Sequence, residues 1–105
     1  MFPMFWDVPE ITAREAKTLL TRENDRIGVL DVREWDEWID GHIDGATHIP
    51  LNELPIQLEK LDPEREWIVV CRSGNRSAMA CAYLADRGFR VRNLQGGMLA
   101  WNMTD

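Results

Sequence analysis

Cys71 stands at the end of the apolar run Trp67-Ile68-Val69-Val70. It opens the segment Cys71-Arg72-Ser73-Gly74-Asn75-Arg76-Ser77, which runs into the helix-like stretch Ala78 to Arg87. In the order strand, polar loop, helix, a thiol faces the backbone N–H groups of the loop and the positive end of a helix dipole. Those surroundings favour the thiolate, the nucleophilic form of a group that is mostly protonated at neutral pH when its pKa is about 8.5. Arg72 and Arg76 act in the same direction and offer charge-assisted hydrogen bonds to a small anion. Gly74 admits backbone angles closed to other residues, and Asn75 tolerates a left-handed conformation better than most. Ser77 is expected to cap the N-terminus of the following helix.

Other side chains compete for a chemical role. Asp31 and Arg33 close a second strand-like segment. They read either as supports of the cysteine loop or as a strand-end ion pair, since structural ion pairs mimic site signatures. His42 lies in a Gly-His-Ile turn, where shape and a backbone hydrogen bond suffice to explain it. Two histidines, His42 and His48, with no neighbouring ligand set make a poor metal site, so no metal is expected. Cys81 shares a helical stripe with Ala78, Ala82 and Ala85. It reads as a small buried hydrophobe, with a resolving thiol as the competing reading; the helical rise between Cys71 and Cys81 argues against a disulfide.

The elements that must hold these residues can be traced along the chain. Thr12 and Glu15 form a capping-box pattern ahead of a helix with Ala16, Leu19 and Leu20 facing inward. Arg26 to Val32 reads as a strand, Glu34 to Ile39 as a short helix carrying Trp35 and Trp38, and Thr47 to Ile49 as a brief strand stopped by Pro50. Pro55 to Leu61 reads as one or two helical turns with proline at the start. The charged run Glu59 to Glu66 reads as a solvated turn. Glu66 to Val70 is a strand whose four consecutive apolar residues suggest burial on both faces. A helix from Ser77 to Arg87, a strand from Phe89 to Leu94 and a last turn from Met98 to Trp101 follow. The tryptophans Trp6, Trp35, Trp38, Trp67 and Trp101 are expected to pack in the core or at its rim. Helices alternating with short strands indicate an α/β domain with a mostly parallel sheet, whose site lies beyond the carboxyl ends of the strands. Cys71 and Asp31 both fall at that edge.

Composition bounds the possibilities. The chain has 105 residues, 45% hydrophobic and 29% charged, which suits one soluble domain. Its formal net charge is −6, which disfavours general binding to nucleic acid or to an anionic membrane. No apolar run is long enough for a transmembrane helix, and Met1 to Trp6 is too short for a secretory leader, so a cytoplasmic protein is expected. Two cysteines are too few for a disulfide framework or a structural zinc site.

Three blocks in order resemble the rhodanese family of sulfurtransferases. They are Asp31-Val32-Arg33-Glu34 with Gly41-His42-Ile43-Asp44-Gly45-Ala46 and Ile49-Pro50, then Cys71 to Ser77, then Phe89 through Leu94-Gln95-Gly96-Gly97 to Trp101. The resemblance implies a single domain over 1–105 with a core over about 7–103. It also implies a three-layer α/β fold: a central, mostly parallel five-stranded sheet with helices on both faces. It implies catalysis by Cys71 through a persulfide, a binding loop of Arg72, Ser73, Gly74, Asn75 and Arg76, and support from Asp31, Arg33 and Ser77, with no cofactor. The implied partners are a sulfane donor such as thiosulfate and an acceptor that is a thiol, cyanide or another protein. A monomer is expected.

Related phosphatases and arsenate reductases place five residues and then an arginine after the cysteine. Here that position is Ser77, and Arg76 comes one residue early. The shorter loop suits one sulfur atom better than a tetrahedral oxyanion, and a serine cannot supply a bidentate clamp. Relatives that prefer thiosulfate often carry a basic residue in the middle of the loop, where this chain has Ser73. Arg72 and Arg76 are expected to supply that charge. The rival readings are a protein-binding module on the same fold and a redox or persulfide sensor.

Overall fold

The structure is a computed structural model describing residues 8–23 and 25–105, so Trp6 and Asp7 lie outside the described residues. Five strands form one sheet: β1 Glu10–Ile11, β2 Ile27–Asp31, β3 Thr47–His48, β4 Glu66–Val70 and β5 Arg90–Leu94. Their order is β1-β5-β4-β2-β3, and every pairing is parallel. Helices α1 Ala13–Arg22, α2 Trp35–Ile39 and α3 Asn75–Asp86 lie between strands, and α4 Gly97–Met103 follows β5.

Successive residues of a strand point to opposite faces, and both faces of this sheet are covered. Leu30, Trp67, Val69 and Val91 join one core with Ala80, Cys81 and Leu84 of α3 and with Leu54 and Leu61. Ile27, Val29, Ile68, Val70 and Leu94 join the other, with Ala13 and Ala16 of α1 and Met98 of α4. The four apolar residues of β4 are each at most 2% exposed, as burial on both faces requires. Gly28 completes the fit, because a Cβ there would lie 2.5 Å from the Trp67 ring.

The central strands end together. β2 and β4 run in register from Ile27↔Glu66 to Asp31↔Val70, so Asp31 and Cys71 emerge at the same sheet edge. The capping box of Thr12 and Glu15 starts α1 as its residue pattern predicts. At the other end of the chain, Lys17 Nζ donates to the carbonyls of Trp101 (3.0 Å) and Thr104 (2.5 Å), which ties the end of α4 to α1.

Several local expectations are corrected. The fifth strand, β1, has two residues and falls where only a helix start was expected; Asn93 N–H donates to Pro9 O and Gln95 N–H to Ile11 O, which dock it on β5. The segment after β3 forms two 3₁₀ turns, Leu51–Ile56 and Leu58–Lys60, with Pro55 inside the first. Pro50 sets that start: its carbonyl accepts from Glu53 N–H at 2.8 Å. Within the charged run that follows, Leu61 is 2% exposed and belongs to the core. α3 begins at Asn75 rather than Ser77, and α4 runs on to Met103 rather than stopping at Trp101.

Candidate active site

The early start of α3 follows from Gly74. Its φ of +116° turns the chain sharply, a conformation that glycine adopts without the penalty a side chain would bring, and its carbonyl accepts the helical bond from Ala78 N–H. Asn75 is thus the first helical residue, and no described non-glycine residue has positive φ. Ser77 is displaced from the capping position into the first turn, with its side chain turned inward. Its hydroxyl lies 3.2 Å from Cys71 Sγ and 2.5 Å from Asn93 Oδ1.

Cys71 is 1% exposed and Ser77 is fully buried. Gly74 N–H donates to Cys71 Sγ at 3.1 Å. Burial pushes the thiol up, but the Ser77 hydroxyl and the amides of Ser77, Gly74 and Ser73 outweigh it, so the thiol lies below its ordinary value. The amides acting on the sulfur are therefore a part of the expected Arg72 to Arg76 run plus one position beyond it. Cys81 behaves differently. It is a free cysteine in the core, and burial pushes its thiol far up.

The two loop arginines part company. Arg72 is exposed, and its backbone carbonyl accepts from Leu99 N–H of α4. Arg76 is half-buried and held by Glu37 of α2 in a bidentate pair, with N–O distances of 2.7 and 2.9 Å. Arg76 pulls the Glu37 carboxyl down to about 2. Ser73 and Asn75 are exposed, whereas Gly74 is buried.

Asp31 and Arg33 form a buried pair. The Arg33 guanidinium donates to both carboxylate oxygens at 2.7 to 3.0 Å, and Arg33 N–H adds a bond of 3.0 Å. Of the two readings open for Asp31, the strand-end ion pair is the one observed: the hydrogen bonds of its carboxylate among the described residues go to Arg33, not to the cysteine loop. Arg33 also donates to Gly41 O and so fixes the loop after α2. His42 and His48 both stack on Trp38. The Trp38 ring lies 3.4 Å from the His42 ring and 4.6 Å from that of His48, and the imidazoles bond the backbone oxygens of Trp38 and Arg33.

Three contributors were not foreseen from residue types. Glu37 reaches the loop from α2 through its pair with Arg76. Asn93, on β5, is 2% exposed, and its Nδ2 donates to Gly74 O at 3.0 Å. Gly97 lets α4 abut the loop: a Cβ there would lie 2.5 Å from the carbonyl oxygens of Cys71 and Arg72. In that close approach Met98 N–H donates to Cys71 O at 2.8 Å. The Gly96-Gly97 pair was the available sequence signal.

The sequence profile of the Rhodanese-like domain family matches residues 12–104. This chain belongs to the rhodanese family. A rhodanese-like domain protein from Staphylococcus aureus superposes with a TM-score of 0.83 at 34% identity, covering 90% of this chain and 91% of that one. A sulfurtransferase of Allochromatium vinosum is 40% identical over 74 residues, 70% of this chain and 69% of that protein. The thiosulfate sulfurtransferase GlpE of Pseudomonas entomophila is 36% identical over 77 residues, covering 72% of this chain and 71% of its own. The rhodanese fold thus accounts for the five-stranded parallel sheet and for the loop on which Cys71 is carried.

Proposed function

We propose that this rhodanese domain is a sulfurtransferase that carries a sulfane sulfur as a persulfide on Cys71, with thiosulfate as a donor. The observation that supports this most directly is the Cys71 sulfur surrounded by the Gly74 amide and the Ser77 hydroxyl, at 3.1 and 3.2 Å. Sulfurtransferases among its relatives support the same reading.

The Cys71 thiolate attacks the outer sulfur of thiosulfate. An S–S bond forms to Sγ, and the bond between the outer and the central sulfur breaks, its electron pair leaving with sulfite. The single negative charge then resides on the outer sulfur of the persulfide, where donors of the loop stabilise it. A nucleophile such as cyanide or a thiolate attacks that sulfur and restores the Cys71 thiolate as leaving group, a step helped by its low basicity. Arg72, exposed at the loop, is the cation suited to attract a dianionic donor; Arg76 has its charge matched by Glu37. Sulfur transfer is favoured over phosphoryl chemistry because the position of a phosphate-clamping arginine is Ser77, a buried hydroxyl already engaged with sulfur.

Incubation with thiosulfate, followed by intact mass measurement, tests this reading. A gain of one sulfur atom, reversed by cyanide and absent in Cys71→Ala, is the expected result. A wild-type protein that takes no sulfur from thiosulfate, mercaptopyruvate or a low-molecular-weight persulfide would refute it.

A further inference from the structure

Ser77 has one hydroxyl hydrogen and two acceptors. Its Oγ lies 2.5 Å from Asn93 Oδ1 and 3.2 Å from Cys71 Sγ. The amide of Asn93 has a defined orientation, because its Nδ2 donates to Gly74 O at 3.0 Å and to Glu10 Oε2 at 3.2 Å. With the donor end committed, Oδ1 is the end that meets Ser77, and Oδ1 can only accept. Ser77 is 0% and Asn93 2% exposed, so neither turns to bulk solvent for a substitute partner.

Two proton arrangements satisfy this geometry in turn. With Cys71 protonated, S–H donates to Ser77 Oγ, and the Ser77 hydroxyl donates to Asn93 Oδ1. With Cys71 ionised, the sulfur has no proton to give and attracts the hydroxyl hydrogen, which must leave Asn93 to reach it. We propose that Asn93 is a positioning residue that competes with the Cys71 sulfur for the single Ser77 proton, so that ionisation of the thiol is coupled to rotation of the Ser77 hydroxyl. The thiol proton itself goes to solvent base, and Ser77 keeps its own.

The consequence for turnover rests on the sulfur-transfer reading above. In the free enzyme the hydroxyl points at the Sγ anion. Once Sγ becomes the inner, uncharged sulfur of a persulfide, the hydroxyl returns to Asn93, while loop amides remain for the outer sulfur. Asn93 thereby lets one hydroxyl follow the charge and spares the persulfide state an unsatisfied buried donor.

The charged and titratable groups around Cys71 do not account for such a coupling. Arg76 is paired with Glu37, and that pair stays ionised while Cys71 titrates. Cys81 stays protonated, because burial pushes it far up. Arg72 is exposed to solvent on the loop, and Glu10 meets this network through Asn93 Nδ2.

The decisive measurement is a pH titration of the ¹³C- and ¹⁵N-labelled wild-type protein by NMR. The Asn93 Cγ resonance is expected to move with the same midpoint as Cys71 Cβ, as its carbonyl loses a donor. In Ser77→Ala the Cys71 titration persists and the Asn93 response disappears. A flat Asn93 Cγ signal through the wild-type Cys71 titration overturns the proposal, as does a response that survives in Ser77→Ala.

Alkylation by iodoacetamide as a function of pH supplies the second arm. Ser77→Ala raises the Cys71 midpoint. Asn93→Leu, which leaves Gly74 O its bond from Ala78 N–H, lowers it by about one unit, a tenfold change in thiolate fraction. In the Ser77→Ala background Asn93→Leu has no further effect. An equal effect of Asn93→Leu with and without Ser77 means action through the loop alone and overturns the proposal. No sulfur donor enters either arm, so failure of sulfur transfer and failure of this coupling give separate outcomes.

Discussion

The Arg76 guanidinium grips the Glu37 carboxylate through two hydrogen bonds of 2.7 and 2.9 Å, joining the first turn of α3 to α2. Two independent elements are thereby clamped around the cysteine loop. The pair is partly exposed, at 34% for the Arg76 side chain and 24% for that of Glu37, so solvent screens part of its strength. Glu37→Gln is expected to cost about 1 kcal/mol of stability at neutral pH. The sign with pH follows from the lowered carboxyl. Its contribution is full above the ordinary value of 4.5, declines as pH falls, and is lost through about 2. Urea unfolding of wild type and Glu37→Gln between pH 7 and pH 3 checks this, the two curves converging toward acid.

The same substitution releases Arg76. With sulfur transfer as proposed, Glu37→Gln lowers KM for thiosulfate a few-fold, because a second loop cation becomes available to the donor. Arg72→Ala raises KM with a smaller effect on kcat. Steady-state kinetics with cyanide as acceptor separates the two.

Cys71 and Cys81 are expected to react on different timescales. The Cys71 thiol is held below its ordinary value, whereas burial pushes Cys81 far up. The lowered thiol ionises at a lower pH, so the alkylation rate of Cys71 rises and levels off at lower pH than that of a free cysteine. Cys81 is modified only when the protein unfolds. Peptide mass mapping after brief iodoacetamide treatment, with and without urea, distinguishes the sites.

Asp31→Ala leaves the Arg33 guanidinium without its carboxylate partner in a site where the two side chains are 1% and 8% exposed. The expected cost is about 3–5 kcal/mol, because an uncompensated buried charge remains. Asp31→Ala with Arg33→Leu should recover part of that loss. The pH profile of Cys71 alkylation is expected to shift little in protein that remains folded, since the carboxylate bonds Arg33 rather than the loop.

Gly97→Ala introduces a Cβ 2.5 Å from the Cys71 and Arg72 carbonyl oxygens, at a residue whose φ is +58°. Steric conflict and backbone strain together are expected to cost about 2–4 kcal/mol. Chemical denaturation measures it. Gly88→Ala, with φ +88° but no atom within 4 Å of the added carbon, isolates the backbone share.

The sheet edge that carries the candidate site was legible because a parallel strand buried on both faces leaves a continuous apolar signature, as in Trp67 to Val70. The loop was legible because a cysteine between such a strand and a helix has few structural reasons to be polar-flanked. What was not legible depended on contacts distant in sequence. Arg76 reads as a free cation until Glu37, 39 residues earlier, is seen to occupy it. Asn93 and Gly97 acquire meaning only when β5 and α4 come beside Cys71. Ser77 misled for a local reason: serine before a helix usually caps it, but the left-handed turn at Gly74 started the helix sooner. β1 is two residues long, too short to carry any alternation.

Cys71 lies almost wholly beneath the surface, 1% exposed. In the proposed persulfide the added sulfur lengthens the side chain by about 2 Å, the length of one S–S bond. With sulfur transfer as proposed, the cargo atom is also the reach of the protein: a recipient need not enter it as deeply as the donor that loaded it. Slender nucleophiles, or a thiol at the tip of a protruding segment, are geometrically suited to collect from it, and a broad flat partner is not.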